Sequence, residues 1–166
     1  MSEIKFKGNP IHTVGEMPSK GSKAPNFELV KNDLSRVSLN DYLGKNVILN
    51  IFPSIDTGVC ATSARKFNED ASKLPNTIIA CVSKDLPFAH SRFCGAEGIT
   101  NLDMLSSFDN SDFENNYQLT MKDGPLKGLF ARAIVVVNPA GEVVHTELVD
   151  DIVHEPNYEA AMAAVK

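Results

Sequence analysis

Residues 46–60 have the sequence Asn-Val-Ile-Leu-Asn-Ile-Phe-Pro-Ser-Ile-Asp-Thr-Gly-Val-Cys, and this stretch decides the fold that we predict. Its first seven residues form a nearly continuous apolar run, which is typical of a central strand buried on both faces. Pro53 ends that run, and a helical pattern follows over residues 59–74. In α/β sheets, sites are usually built at the carboxyl end of a strand, so we look for chemistry first in residues 53–60.

The alternation of strand and helix continues through the rest of the chain. Residues 77–83 form a second buried apolar run, and Asn138-Pro-Ala-Gly141 is a turn signal between two later strands. The predicted elements are a hairpin within residues 1–15, strands at 27–30, 46–52, 77–83, 129–138 and 142–149, and helices at 59–74, 87–96, 111–119 and 158–165. This order predicts an α/β fold in a single domain spanning residues 1–166, with a mixed central sheet flanked by helices and an extra N-terminal β-hairpin.

Composition argues against several classes of protein. The 166 residues include 16 Lys and Arg against 21 Asp and Glu, and the net charge of −5 disfavours a nucleic-acid-binding surface. No apolar run approaches the roughly 20 residues that a membrane helix needs, and the first residues lack the apolar segment of a signal peptide. We therefore expect a soluble, cytoplasmic protein that binds neither membrane nor nucleic acid.

The cysteines are Cys60, Cys81 and Cys94, an odd number that excludes a complete internal disulfide framework. Cys81 lies inside a buried strand pattern, where a thiol is most often inert. The absence of any Cys-x-x-Cys weakens the hypothesis of a general dithiol oxidoreductase. His90 and Cys94 have the i, i+4 spacing of metal ligands, but no second close pair accompanies them, so we expect no metal and no cofactor.

The spacing around Cys60 is compatible with two interpretations. Either Thr57 or Asp56 could cap the helix that follows. If Thr57 is the cap, Cys60 is the third residue of the helix, where backbone N–H groups and the helix dipole stabilise a thiolate. The Thr57 hydroxyl, three residues earlier, would then be placed to bond the sulfur. Alternatively, Cys60, Ala64 and Phe67 begin the core stripe of an amphipathic helix, on which a cysteine is usually a small buried hydrophobe. Periodicity alone does not decide between them.

The motif Pro53-x-x-x-Thr57-x-x-Cys60 is similar to the active-site motif of peroxiredoxins, and residues 50–60 resemble the thiol peroxidase subfamily of bacterial type in particular. The similarity extends from Gly8-Asn-Pro to Glu155-Pro-x-Tyr-Glu-Ala-Ala and so covers nearly the whole chain. The other matching stretches are Asp85-Leu-Pro-Phe-Ala-His-Ser-Arg-Phe-Cys-Gly-Ala-Glu-Gly98, Asp123-Gly-Pro-Leu-Lys-Gly-Leu129 and Ala131-Arg-Ala133.

The resemblance implies a thioredoxin-like fold and an antioxidant oxidoreductase, a peroxidase that reduces hydrogen peroxide and alkyl or lipid hydroperoxides. It implies that Cys60 attacks the peroxide and becomes a sulfenic acid, and that Cys94 resolves this acid as an intramolecular disulfide. Arg132 would hold the thiolate and polarise the peroxide, Thr57 would orient both, and Pro53 would shield the sulfur. Each of these residues also has an ordinary structural interpretation. Arg132 could be a surface arginine, Thr57 a helix cap, Pro53 a strand terminator and Cys94 a packing thiol.

The resemblance also implies partners and motion. Thioredoxin would be the reductant, and the chain would form a homodimer. Because a disulfide needs Cα atoms within about 7 Å, we expect local unfolding of the turn at Cys60 and of the helix at residues 87–96 in each cycle. The alternative hypothesis is a non-enzymatic sensor that passes its oxidation to a partner protein. Turnover distinguishes the two, because a sensor consumes about one equivalent of peroxide.

Overall fold

Strands and helices alternate along the computed structural model, which describes residues 1–165. The strands are β1 (Glu3–Phe6), β2 (Asn9–His12), β3 (Glu28–Lys31), β4 (Arg36–Ser38), β5 (Asn46–Ile51), β6 (Thr77–Ser83), β7 (Asp103–Ser106), β8 (Ala133–Val137) and β9 (Val143–Leu148). The α-helices are α1 (Gly58–Ala71), α2 (Pro87–Glu97), α3 (Asp112–Tyr117) and α4 (Tyr158–Ala163), and a short 3-10 helix spans Leu39–Tyr42.

Seven of the strands form one mixed sheet in the order β4-β3-β7-β6-β5-β8-β9. The pairs β5–β6 and β6–β7 are parallel, because α1 and α2 supply the crossovers between them, and the other neighbours are antiparallel. All six residues of β5 are buried, as the continuous apolar run predicts. The mixed α/β sheet expected from the sequence is confirmed.

The two faces of β5 are covered by different helices. Val47, Leu49 and Ile51 pack in a cluster that includes the aromatic rings of α3, whereas Ile48 packs with Phe67 of α1. The alternation follows from the two-residue period of a strand. The carboxyl end of β5 therefore leads onto the face that carries α1, and this places Cys60, in the first turn of α1, on that face of the sheet.

The predicted N-terminal hairpin is confirmed as β1–β2, which forms a separate two-stranded sheet. Its apolar residues Ile4 and Ile11 pack with Ile152. The Asp151 carboxylate accepts hydrogen bonds from the Lys7 and Gly8 backbone N–H groups, at 3.1 and 2.9 Å, in the β1–β2 turn. The hairpin thus holds residues 150–152, a segment that matters for the site described below.

The observed elements differ from the predicted ones in several places. The strand predicted at residues 129–138 begins only at Ala133, because residues 129–131 bond instead to the segment 119–121. Strands β4 and β7 are absent from the prediction; both are short, at three and four residues, and carry polar residues at their ends. Helix α1 ends at Ala71 rather than residue 74, and α3 ends at Tyr117, before Gln118 at φ 57°. No helix in the described residues is both long and apolar enough for a membrane crossing.

Candidate active site

The loop between β5 and α1 ends in a side-chain cap. Thr57 Oγ1 accepts a hydrogen bond from the Cys60 backbone N–H at 3.3 Å and donates one to the Ser54 carbonyl at 3.1 Å. Because a hydroxyl carries a single hydrogen, this arrangement directs it away from the Cys60 sulfur. Of the two candidate caps, Thr57 is the one observed, whereas the expected bond from the Thr57 hydroxyl to the sulfur is not formed.

Cys60 is the third residue of α1, and its side chain is completely buried. It packs in an apolar cluster with Phe52, Ile55 and Ala64. Both interpretations of the sequence therefore hold at once: Cys60 lies on the core stripe and in the first turn of the helix. A charge on this sulfur would be shielded from water, so protein groups must stabilise it.

Arg132 supplies such a group. Its Nη1 donates to Cys60 Sγ at 3.2 Å, and its Nε donates to the Ile152 carbonyl at 2.9 Å. The side chain is 1% exposed, so the interpretation as an ordinary surface arginine is wrong. Among the described residues its polar contacts include no carboxylate, and a buried guanidinium needs an anion to balance it. An ionised Cys60 sulfur is the group placed to do so.

The position of Arg132 depends on the N-terminal hairpin. The guanidinium is anchored by the Ile152 carbonyl, and Ile152 N–H donates to the Lys5 carbonyl at 2.9 Å, which ties the segment 150–152 to β1. This anchor could not be predicted from the sequence, because a backbone carbonyl in a loop has no signature in the residue pattern.

A groove of about 270 Å³ lies beside the first turn of α1 and is lined by residues of that turn and of α2, among them Asp56, Thr57 and Phe93. Pro53 is buried at the start of the loop. The exposed Arg92–Asp56 ion pair, with Nη2 and Oδ1 2.8 Å apart, connects α2 to this loop. A larger cavity of about 870 Å³ lies at the opposite end of β5 and contains none of the predicted site residues.

Cys94 is on α2, half-buried, and packs against the apolar cluster that contains Cys60. Burial raises the pKa of the Cys94 thiol, so it is kept protonated near neutral pH. All three cysteines are free thiols in this structure. Helix α2 thus brings Cys94 to the same cluster as Cys60 without joining the two sulfurs.

Cys81 lies in the middle of β6 and is completely buried in the same cluster. Burial raises the pKa of its thiol to about 12, and its sulfur accepts a weak hydrogen bond from Asn50 Nδ2 at 3.6 Å. A thiol held protonated in this way is a poor nucleophile, which supports the sequence-based expectation that Cys81 packs rather than reacts.

A polar cluster below the loop was not anticipated from the sequence. The Asp85 carboxylate accepts hydrogen bonds from the Ser54 hydroxyl, the Ile55 backbone N–H and the Ser83 hydroxyl. His90, which the sequence pairs with Cys94 only by helical spacing, is completely buried with Nε2 2.8 Å from Ser83 Oγ. These residues come from separate elements, so only the fold brings them together. Among residues 1–165, no three His, Cys, Asp or Glu side chains are grouped as a metal site would require.

The arrangement can support attack by a buried sulfur. An anionic Cys60 would face the Arg132 guanidinium, whose position is fixed by its second hydrogen bond, to the Ile152 carbonyl. A positive charge that is already in place stabilises a reacting anion without any rearrangement of the site. A second thiol, that of Cys94 on α2, packs against the same apolar cluster. This combination is suited to thiol-based redox chemistry.

Comparisons with known proteins agree with this chemistry. The Redoxin family model matches residues 19–162. A protein of Mycobacterium bovis named thiol peroxidase is 54% identical over 165 residues, which cover 99% of each chain. The crystal structure of a peroxiredoxin-like protein from Aquifex aeolicus has 34% identity and a TM-score of 0.93, covering 98% of this chain and 95% of that one.

A thiol peroxidase from Chromobacterium violaceum shares the fold at a TM-score of 0.88 and 20% identity, covering 96% of this chain and 93% of its own. The thioredoxin-like fold implied by the sequence resemblance is thereby confirmed. The chain belongs to the Redoxin family and, within it, to the thiol peroxidases of the peroxiredoxin group.

Proposed function

We propose that this thiol peroxidase reduces hydroperoxides by a two-cysteine cycle in which Cys60 attacks and Cys94 resolves. In the first step the Cys60 thiolate attacks the terminal oxygen of the peroxide and the O–O bond breaks. The sulfur is oxidised to a sulfenic acid, and the other oxygen takes up a proton and leaves as water or an alcohol. The Arg132 guanidinium holds the attacking sulfur and stabilises the charge that moves along the O–O bond.

In the second step the Cys94 thiol condenses with the sulfenic acid. An S–S bond forms, the S–O bond breaks, and water leaves with the thiol proton. Cys60 lies near the start of α1 and Cys94 near the end of α2, so we propose that the first turn of α1 and part of α2 unwind to bring the sulfurs together. Shielding by Pro53 and capping by Thr57 favour the folded arrangement between turnovers.

The third step regenerates the two thiols. We propose that thioredoxin reduces the Cys60–Cys94 disulfide by thiol–disulfide exchange: its two thiols give up two electrons and two protons, both cysteines return to thiols, and thioredoxin itself is oxidised to a disulfide. The peroxide substrates that we propose are hydrogen peroxide and alkyl or lipid hydroperoxides. We further propose a cytoplasmic homodimer. These assignments are supported by the resemblance of the chain to thiol peroxidases, and a reductant is required because both cysteines must return to thiols after each turnover.

One observation carries the proposal: the 3.2 Å contact between Arg132 Nη1 and Cys60 Sγ in a site that is closed to water. An arginine is rarely buried without an anionic partner, and here the partner placed against it is the sulfur of a first-turn cysteine. A purely structural cysteine needs no such cation.

The test is a disulfide map of the reduced protein after one equivalent of hydrogen peroxide. We expect a Cys60–Cys94 bridge in the wild type and a stable sulfenic acid on Cys60 in Cys94→Ser. In Cys60→Ser we expect neither the sulfenic acid nor the bridge. A Cys60–Cys81 bridge would show that the resolving residue is wrongly assigned. Steady-state assays with a thioredoxin system should show many turnovers, whereas consumption of a single equivalent would indicate the sensor instead.

A further inference from the structure

The Asp85 carboxylate is the point at which the loop before Cys60 is attached to the rest of the molecule. Its Oδ1 accepts the Ser54 hydroxyl hydrogen at 2.8 Å, and its Oδ2 accepts the Ile55 backbone N–H at 2.8 Å. The same Oδ2 accepts the Ser83 hydroxyl hydrogen at 2.6 Å. The side chain is 11% exposed, so these bonds lie largely out of water and are individually strong, as is usual for an ionised acceptor.

The bonds continue from Asp85 to the reacting residue. Ser54, whose hydroxyl Asp85 holds, offers its carbonyl to both the backbone N–H and the hydroxyl of Thr57, each at 3.1 Å. Thr57 Oγ1 then caps the Cys60 backbone N–H. Three consecutive links therefore connect the carboxylate to the first turn of α1, and each fixes a different part of the loop.

The carboxylate is also connected to the helix that carries Cys94. Since the single hydrogen of the Ser83 hydroxyl goes to Asp85, the 2.8 Å contact between Ser83 Oγ and His90 Nε2 requires the imidazole to donate from Nε2. His90 lies on α2 one turn before Cys94. Both elements that must unwind for disulfide formation are thus held by one side chain of a third element, the segment after β6.

We propose that Asp85 is a positioning residue that favours peroxide reduction over disulfide closure in the cycle proposed above. While its hydrogen bonds are intact, the loop and α2 keep Cys60 in the capped first turn beneath Arg132, which is the arrangement that reacts with peroxide. Because disulfide closure must break the same bonds, Asp85 delays the second step and prolongs the life of the sulfenic acid. A second peroxide can then oxidise it to the sulfinic acid.

This role predicts opposite effects on the two steps when the carboxylate is removed. In Asp85→Ala, we expect the oxidation of Cys60 by hydrogen peroxide to slow by about tenfold to a hundredfold, because the reacting geometry is no longer fixed. We expect disulfide closure to become faster, and the ratio of sulfinic acid to disulfide at a given peroxide concentration to fall. A variant that merely loses folded protein would lower the amplitude of both steps in proportion to the active fraction and leave their rate constants unchanged.

Two further variants distinguish the positioning role of Asp85 from an effect of its charge and from a general effect on folding. Asp85→Asn keeps one oxygen for the Ile55 N–H, and its amide group can donate to the Ser54 oxygen, so it should recover most of the wild-type oxidation rate. The matched control is Asp33→Ala, because Asp33 also accepts a backbone N–H and a hydroxyl, both from Ser35, but lies in the turn between β3 and β4. Asp33→Ala should change neither rate.

The experiment follows the oxidation and closure steps by quenched-flow mass spectrometry with hydrogen peroxide, in the wild type and the three variants, with thermal unfolding measured in parallel. If Asp85→Ala does not fold, Ser54→Ala removes one of its bonds and should show the same opposite effects at smaller size. Unchanged or equally reduced rates of both steps in Asp85→Ala, or in Ser54→Ala where Asp85→Ala does not fold, would overturn the positioning role. A wild type that forms no Cys60–Cys94 bridge would instead overturn the proposed cycle, so the two failures are distinguishable.

Discussion

The first turn of α1 and the body of α2 each contribute a cysteine to the same apolar cluster, but the two cysteines have different surroundings. Cys60 is capped through its backbone by Thr57, and its sulfur is held by a buried guanidinium. Cys94 lies half-buried on a helix whose N-cap, Leu86, makes no side-chain hydrogen bond, and burial raises the pKa of its thiol. One environment stabilises a negative sulfur, and the other keeps a sulfur protonated.

This difference supports the order of the reaction that we propose. The residue with a cationic partner is equipped to attack first, whereas the residue without one becomes reactive only when its helix opens to water. The start of α2 is also poorly covered: its N-cap Leu86 and Phe88 in its first turn are exposed at 51% and 67%. We therefore expect the folded state to control the first step and the opening of α2 to control the second.

The largest effect should come from removing the cation that distinguishes the two environments. Arg132→Met keeps an apolar side chain in the space but leaves the Cys60 sulfur without its counter-charge, so we expect oxidation by hydrogen peroxide to slow by about 10²- to 10³-fold. Arg132→Lys retains the charge but not the two-pronged geometry of the guanidinium, so its oxidation rate should lie between those of the wild type and Arg132→Met. Competition for peroxide with a reporter peroxidase measures the rate, and wild-type reactivity in Arg132→Met would contradict the comparison.

The next effect concerns pH and is confined to α2. Burial lowers the pKa of His90 from 6.5 to about 4, with the neighbouring Asp85 carboxylate opposing the shift, so His90 is neutral in the folded state. Unwinding exposes the imidazole, which then binds a proton below pH 6.5. The stability that α2 owes to a neutral His90 is therefore complete above pH 6.5 and is lost as the pH falls from 6.5 towards 4.

Amide hydrogen exchange of α2, corrected for the intrinsic pH dependence of exchange, measures this effect. Protection should decrease by nearly tenfold per pH unit between 6.5 and 4 in the wild type. His90→Gln keeps a donor for Ser83 but cannot titrate, so its protection should be independent of pH over this range. The same slope in both proteins would assign the acid sensitivity to another group.

The same contrast explains what the sequence could and could not predict. The bounds of β6, the cap at Thr57 and the place of Cys60 in the first turn follow from local periodicity, and the structure confirms them. The anchoring of Arg132 by the Ile152 carbonyl does not, because it joins segments twenty residues apart through a backbone atom. The Asp85 cluster likewise combines three segments, and its members carry no spacing that marks them as a group.

A smaller effect is expected at the surface link between the two regions. Arg92 and Asp56 form an exposed ion pair between α2 and the loop before Cys60, and exposed pairs contribute little to stability. Arg92→Ala should therefore speed disulfide closure by no more than about fivefold at low salt. The difference from the wild type should disappear at high salt, where the pair is screened. Arg36→Ala, which removes exposed ion pairs to Glu28 and Asp109, is the control and should leave closure unchanged.

The smallest effect on turnover should come from the third cysteine, which shares the cluster but neither environment. Within the described part of the chain, Cys81 has no bonded cation like that of Cys60. It also lies in a central strand, which need not unwind for disulfide closure as α2 must. In the wild type the Asn50 amide donates to the Cys81 sulfur, and in Cys81→Ser the introduced hydroxyl can accept that hydrogen bond instead. The fold should therefore persist, with a loss of about 1 kcal/mol in the free energy of unfolding. Peroxidase turnover measured beside chemical denaturation should stay within about twofold of the wild type, because core substitutions that keep the fold leave reacting groups in place. A loss of turnover without a loss of stability would give Cys81 a share in the thiol chemistry that its burial argues against.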